Sequence, residues 1–275
     1  MMAVYPTFPG GKRKVATFSY DDGGAEDKIL IELMNKYGIK GTFNLCSGDV
    51  RFGQIENPKE VYKGHEVAVH GLTHVYIDRV EPQTATYEII KDRENLEKVF
   101  GGAVRGFAYP YTAYNDTSVP LLKNCGIKYA RTAKCTENFR MPGDWYYWHP
   151  TVCDTNPKYL EICDRFIESG NASFNQSQML YVYGHSHITD RRNLWGTFEE
   201  ALKRLSEQND IWFATNIEIC DYYSAFLNLV MSVDSRYIYN PTNTTLSLIH
   251  SNGDFINGAV EFEIKPGEEI YLDRV

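Results

Sequence analysis

The chain has 275 residues, long enough for one large α/β domain with at most a small appendage. Its 28 Lys and Arg stand against 36 Asp and Glu, and this net charge of −8 speaks against a phosphate-backbone ligand, so no nucleic-acid partner is expected. Met1 to Pro6 lack the basic start and apolar run of a secretory signal, no stretch reaches the length of a membrane span, and six cysteines occur without a CxxC pair. The chain as it stands therefore reads as a cytoplasmic protein with reduced thiols and no membrane contact, and as extracytoplasmic only if a leader has been removed.

Residues 14–22 read as a first strand. Ile29, Leu30, Leu33, Met34 and Tyr37 then give a helical stripe closed by Gly38. Further strands are expected at 41–45 and 66–70, followed by a helix over 83–100. A fourth strand covers 104–111, a helix 118–124, and a fifth strand 127–132. The sixth strand is placed at 148–153, with Asn156-Pro157 as cap and first turn of a helix running to Ser169. The seventh strand is 179–185. Thr197 with Glu200 reads as a capping box for a helix burying Phe198, Ala201, Leu202 and Leu205, and the eighth strand is 211–215. Eight strands alternating with helices predict a (β/α) barrel with a parallel core, whose sites assemble at the C-terminal ends of the strands. A last helix at 222–231 ends this unit, 1–232. Residues 233–275, with β-like runs at 236–240, 245–250 and 260–264, are expected to form a small β-rich C-terminal appendage.

Ionisable residues cluster at the predicted strand ends. Asp21 and Asp22 are adjacent carboxylates, which repel unless a cation or a proton lies between them. His70 and His74, four apart, suit two nitrogen ligands of one metal if the loop begins a helical turn. Phe107–Tyr111 is an aromatic strand end with Pro110 inside it, and Met179–His185 ends in a histidine preceded by Gly184, which leaves room for something to approach. Each alone also fits a structural role: an acidic helix cap, two loop histidines, a packed strand end. Twenty tyrosines and four tryptophans permit a sugar ligand without requiring one.

Taken in order, these blocks resemble the polysaccharide deacetylases, carbohydrate esterase family four, over roughly residues 14–220. The resemblance implies a distorted (β/α) barrel and metal-dependent removal of N- or O-acetyl groups from an acetylated carbohydrate. Carried over by position, it implies that Asp22, His70 and His74 hold a divalent metal. Zinc is the expected ion, with cobalt, nickel or iron accepting the same donors. Asp21 would be the general base and His185 the general acid. Pro110 and Tyr111 would form the oxyanion segment, and Trp145 or Trp148, from the family's Asp/Trp block, would line the substrate groove.

The sequence departs from the family at Ala108, where the motif has an Arg that holds the base, and Arg131 is the residue expected to supply that charge. Tyr183 stands where Leu is usual. His187 is a rival to His185 for the acid, and His65 falls at the wrong end of its strand. The nearest alternative enzyme is a metal-dependent hydrolase of a non-sugar amide or cyclic imide on the same barrel. An inactive carbohydrate-binding homologue is the alternative from outside catalysis. The sequence carries no signal for oligomeric state.

Overall fold

The first strand, β1 (Ala3–Pro6), belongs to a side sheet, and the second, β2 (Lys14–Asp22), is the centre of the fold. In the computed structural model, which describes residues 3–170, 177–251 and 259–272, β2 is buried along its whole length. Successive side chains of a strand point to opposite faces. Ala16, Phe18 and Tyr20 enter the large apolar core, where Phe18 and Tyr20 both meet Phe198 edge-on. Burying a side chain such as Phe18 is worth about 1.5–3 kcal/mol. Thr17, Ser19 and Asp21 occupy the other face, which is the barrel interior. Polar groups meet there: Thr17 Oγ1 donates to Asn216, and Ser19 accepts from Asn44.

From β2 the chain runs through α1 (Asp27–Lys36), β3 (Thr42–Leu45), α2 (Val50–Gly53), α3 (Pro58–Val61), β4 (Glu66–Val69), α4 (Pro82–Phe100), β5 (Gly106–Ala108), α5 (Ser118–Asn124) and β6 (Tyr129–Arg131). It continues through β7 (Val152–Cys153), α6 (Tyr159–Glu168), β8 (Gln178–Gly184), α7 (Ser186–Arg191), α8 (Trp195–Ser206), β9 (Ile211–Phe213) and α9 (Asn216–Leu227). The barrel strands are parallel, in the order β6-β5-β4-β3-β2-β8-β7. One edge of β2 is split, with Lys14–Ala16 pairing with β9 and Ser19–Asp22 pairing with β3. The ends of the sheet meet at Trp148, whose N–H donates to Ala130 and whose carbonyl accepts from Thr132. The result is the distorted (β/α) barrel expected. Inside it Gly106 is obligatory, because a Cβ there would collide with the Tyr129 ring.

Several expectations shift in detail. The fourth strand stops at Ala108, because Pro110, Tyr111 and Thr112 form a 3-10 turn in which Tyr111 and Thr112 have positive φ (55° and 58°). Thr197 lies inside α8 and caps nothing. The capping box belongs to α9, where the Thr215 side chain accepts from Glu218 N and the Glu218 side chain accepts from Thr215 N, so that helix starts at Asn216 rather than 222. After α9 come β10 (Val230–Met231), β11 (Tyr237–Tyr239), β12 (Leu246–Ser251), β13 (Ala259–Ile264) and β14 (Glu269–Tyr271). They make two three-stranded antiparallel sheets, β10-β11-β14 and β1-β12-β13, the second of which takes in the strand from the start of the chain. Among the described residues no helix is long and apolar enough to cross a membrane.

Candidate metal and catalytic site

Asp21 ends the inward row of β2, 4 % exposed, and sits among donors. Asn44 Nδ2 donates to its Oδ1 at 2.8 Å, and Arg131 Nη2 bonds its carboxylate. Arg131 is fully buried, its guanidinium lying over the Tyr183 ring at 5.1 Å. The register explains how it reaches Asp21. Ala108 and Arg131 are direct partners across β5 and β6, so the methyl side chain at 108 leaves space that the neighbouring Arg fills. Burial alone would raise the Asp21 carboxyl; Arg131 first, then His70 and His185, override it and hold Asp21 well below the usual carboxylate range.

Asp22 turns away from the barrel, with φ of 78° followed by Gly23 at 76°. Its Oδ1 is buried and has no hydrogen-bond partner, yet it faces His70 Nε2 at 3.7 Å and His74 Nε2 at 3.6 Å. The two histidines sit in a turn rather than a helix, and His74 has φ of 58°, but their Nε2 atoms still approach to 3.1 Å. His70 Nδ1 lies 2.8 Å from the Ala108 carbonyl. A carbonyl only accepts, so the ring proton is on Nδ1 and the Nε2 lone pair points at Asp22. Ligands 2.0–2.1 Å from a tetrahedral ion are separated by about 3.4 Å. The three atoms, at 3.1, 3.6 and 3.7 Å from one another, therefore fit one divalent cation. Burial lowers both imidazoles, which keeps them in the neutral, ligating form.

Two carboxylates that the sequence reading passed over hold this turn from below. Asp92 accepts from the backbone N–H of His70 (3.1 Å) and Ser47 (2.7 Å), and Glu88 accepts from Thr73 N and Oγ1 (2.7 and 2.8 Å). Burial pushes Asp92 up to about 7. Their signal was present: acids four apart on α4, on the same face as the buried Ala85, Ile89 and Leu96.

His185 follows β8 and brings its Nε2 to 3.7 Å from Asp21 Oδ2. His187 lies two residues further, its ring 5.6 Å from that of His185. The space beside Gly184 is taken by Asp154, a residue with no place in the sequence reading. An added Cβ at 184 would meet its carboxylate at 2.5 Å, and Asp154 accepts from Thr189 Oγ1 (2.7 Å) and Tyr20 Oη (3.1 Å). It thus fixes the turn that carries His185. Asp27 does the same from α1, accepting from Ser186 Oγ (2.5 Å) and Tyr62 Oη (2.6 Å).

Pro110 is buried and Tyr111 is 56 % exposed, its ring 4.4 Å from His74 and stacked on Tyr76 at 4.0 Å. Arg79 covers Tyr76 at 4.3 Å, so an aromatic wall stands beside His74. The two tryptophans are elsewhere, which corrects the sequence reading. Trp148 is completely buried against Tyr129, Tyr181 and Trp145, where it closes the barrel. Trp145 borders a 410 Å³ hollow with Lys128 and Asp221, at the strands' N-terminal end. His65 lies at that end too, its Nδ1 accepting from Gly41 N. His149 packs on Thr132 at 2.6 Å.

Residues 9–130 match the polysaccharide deacetylase family. The resemblance read from the sequence is borne out, and the solved polysaccharide deacetylases share the fold. A Mycobacterium smegmatis protein assigned to them aligns with a TM-score of 0.63 at 17 % identity, over 81 % of this chain and 94 % of its own. The peptidoglycan deacetylase PdaC of Bacillus subtilis aligns at 0.52 and 18 % identity, over 80 % and 97 %. PuuE allantoinase aligns at 0.63 and 13 % identity, over 80 % and 93 %. At these identities the likeness is one of fold. No curated protein matches the sequence.

Proposed function

We propose that the protein is a metal-dependent hydrolase that removes N- or O-linked acetyl groups from a poly- or oligosaccharide, with Asp22, His70 and His74 holding the cation. The observation that carries this reading is the unpartnered, buried Asp22 Oδ1 facing the Nε2 atoms of two imidazoles, an arrangement that suits a cation between them. When bound, a divalent ion, zinc by donor type and otherwise cobalt, nickel or iron, lowers the pKa of a water and polarises the acetyl carbonyl.

The chain's own residues do the rest. Asp21 takes the proton of the attacking water on Oδ2, and Arg131 keeps that carboxylate ionised and aimed. His185 Nε2, 3.7 Å from that same oxygen, gives a proton to the departing amine or hydroxyl. The backbone N–H of Tyr111 stabilises the negative charge that develops on the carbonyl oxygen. The Tyr111–Tyr76 wall bounds the groove on the His74 side.

A second reading, hydrolysis of a cyclic amide, draws on a barrel that superposes as well on an allantoinase. One preparation decides between them, assayed for acetate release from acetylated chito-, xylo- and peptidoglycan-derived oligosaccharides and for ring opening of allantoin. Acetate release supports the deacetylase. Ring opening alone transfers the site to the cyclic amides. Neither, together with measurable glycan affinity, leaves a binding barrel.

A further inference from the structure

The two oxygens of Asp22 have opposite surroundings. Oδ1 faces the imidazoles, and Oδ2 accepts from Arg51 Nη1 at 2.8 Å. Arg51 is no loose surface arginine. Asp49 grips its guanidinium at two points, Nε to Oδ1 at 3.0 Å and Nη2 to Oδ2 at 2.8 Å, and Asp49 Oδ1 also accepts the Arg51 backbone N–H at 2.8 Å as the cap of α2. Backbone and side chain of Arg51 are thus clamped by one carboxylate, and the remaining donor edge points at another that is 7 % exposed.

We propose that Arg51 is a positioning residue that restricts Asp22 to a single-oxygen contact with the cation. The inference rests on the metal reading given above. A carboxylate can bind a cation through one oxygen or both. A guanidinium on Oδ2 occupies that oxygen and places a positive charge behind the ligand, so chelation through both oxygens is opposed by geometry and by charge. Coordination positions that a chelating Asp22 would fill are left for water and substrate, at the expense of affinity for the ion. The sign separates this role from ordinary support. Partners behind a metal ligand normally strengthen binding, and losing one weakens it roughly 10–100-fold. Loss of Arg51 is expected to do the reverse.

The test uses the full chain, metal-free, as wild type, Arg51→Ala and Asp49→Asn, the last keeping the guanidinium but loosening its anchor. Zinc affinity is measured by competition with a chelator, and the visible absorption of the cobalt-loaded proteins reports coordination number. Arg51→Ala is expected to bind zinc roughly tenfold more tightly, to show weaker cobalt absorption as Oδ2 joins the ion, and to release acetate more slowly. Asp49→Asn should change in the same direction, by less, and stands in if Arg51→Ala does not fold. Unchanged or weaker zinc binding by a folded variant, beside a wild type that takes up one ion, overturns the role of Arg51 alone. A wild type that takes up no ion overturns the metal reading and this inference with it.

Discussion

Replacing Arg131 by Met keeps most of the side-chain volume and removes the charge on which Asp21 depends. The variant leaves Asp21 buried with a single strong donor, Asn44 Nδ2, and breaking one side of a buried ion pair costs about 3–5 kcal/mol while the other side stays charged. The protein escapes that cost by protonating Asp21. In the wild type the folded carboxyl lies below its unfolded value. The pair therefore stabilises the fold above the unfolded pKa, and the contribution is lost only as pH falls through the depressed folded value. In the variant burial is opposed only by His70, His185 and the Asn44 hydrogen bond, so the folded carboxyl rises and the stabilisation that the pair gave above the unfolded pKa is lost. An adjacent Arg holds a carboxyl down by roughly one to three pH units. The acid limb of kcat/KM for acetate release should move up by at least that much in Arg131→Met and by less in Arg131→Lys, whose ammonium makes a point contact. Profiles from pH 4 to 8, with urea unfolding at both ends, check it. Coincident acid limbs in wild type and Arg131→Met would show that Arg131 does not govern Asp21.

Two other outcomes follow from groups the chemistry does not consume. Gly184→Ala pushes a methyl into the Asp154 carboxylate, so it should cost about 1–3 kcal/mol of stability and slow turnover while leaving zinc affinity close to wild type, because the displaced turn carries His185 and none of the metal donors. Burial raises Asp27 to about 6, against the pull of Ser186 and Tyr62. A raised acid stabilises the fold below its unfolded pKa, and that contribution fades as pH rises through 6. Urea titrations should therefore lose about 3 kcal/mol from this group between pH 4 and pH 7, and Asp27→Asn should flatten that slope.

Much of this molecule was legible because a barrel turns sequence order into spatial convergence. Each strand delivers its last residues to one face, so Asp21, Asp22, His70, His74 and His185 could be grouped before any distance was known. Their two-residue alternation also sorts Thr17, Ser19 and Asp21 from Ala16, Phe18 and Tyr20. What was not legible depends on register and long separation. Asp154 is a single acid in Thr151–Pro157 with no spacing partner, and its contact with Gly184 exists only because β7 and β8 pair. The tryptophans illustrate a competing use of the same residue type: Trp148 closes the gap between β6 and β7, where a large buried ring is worth more to packing than to a groove. Thr197 and Thr215 both head a Thr-x-x-Glu pattern, and only tertiary context made α8 begin upstream, at Trp195. Ala3–Pro6 pairs with Leu248–Ser251, a contact that no local pattern announces.

In the proposed mechanism one cation held by Asp22, His70 and His74, and one base, Asp21, together perform the hydrolysis. Acetate release from an acetylated oligosaccharide should be followed for wild type and Asp21→Asn, each as prepared, after chelation, and after zinc is restored. Release is expected to vanish on chelation, to return with zinc in the wild type, and to stay absent in Asp21→Asn although that variant still binds the ion. Release that survives chelation, or that Asp21→Asn retains, would contradict it.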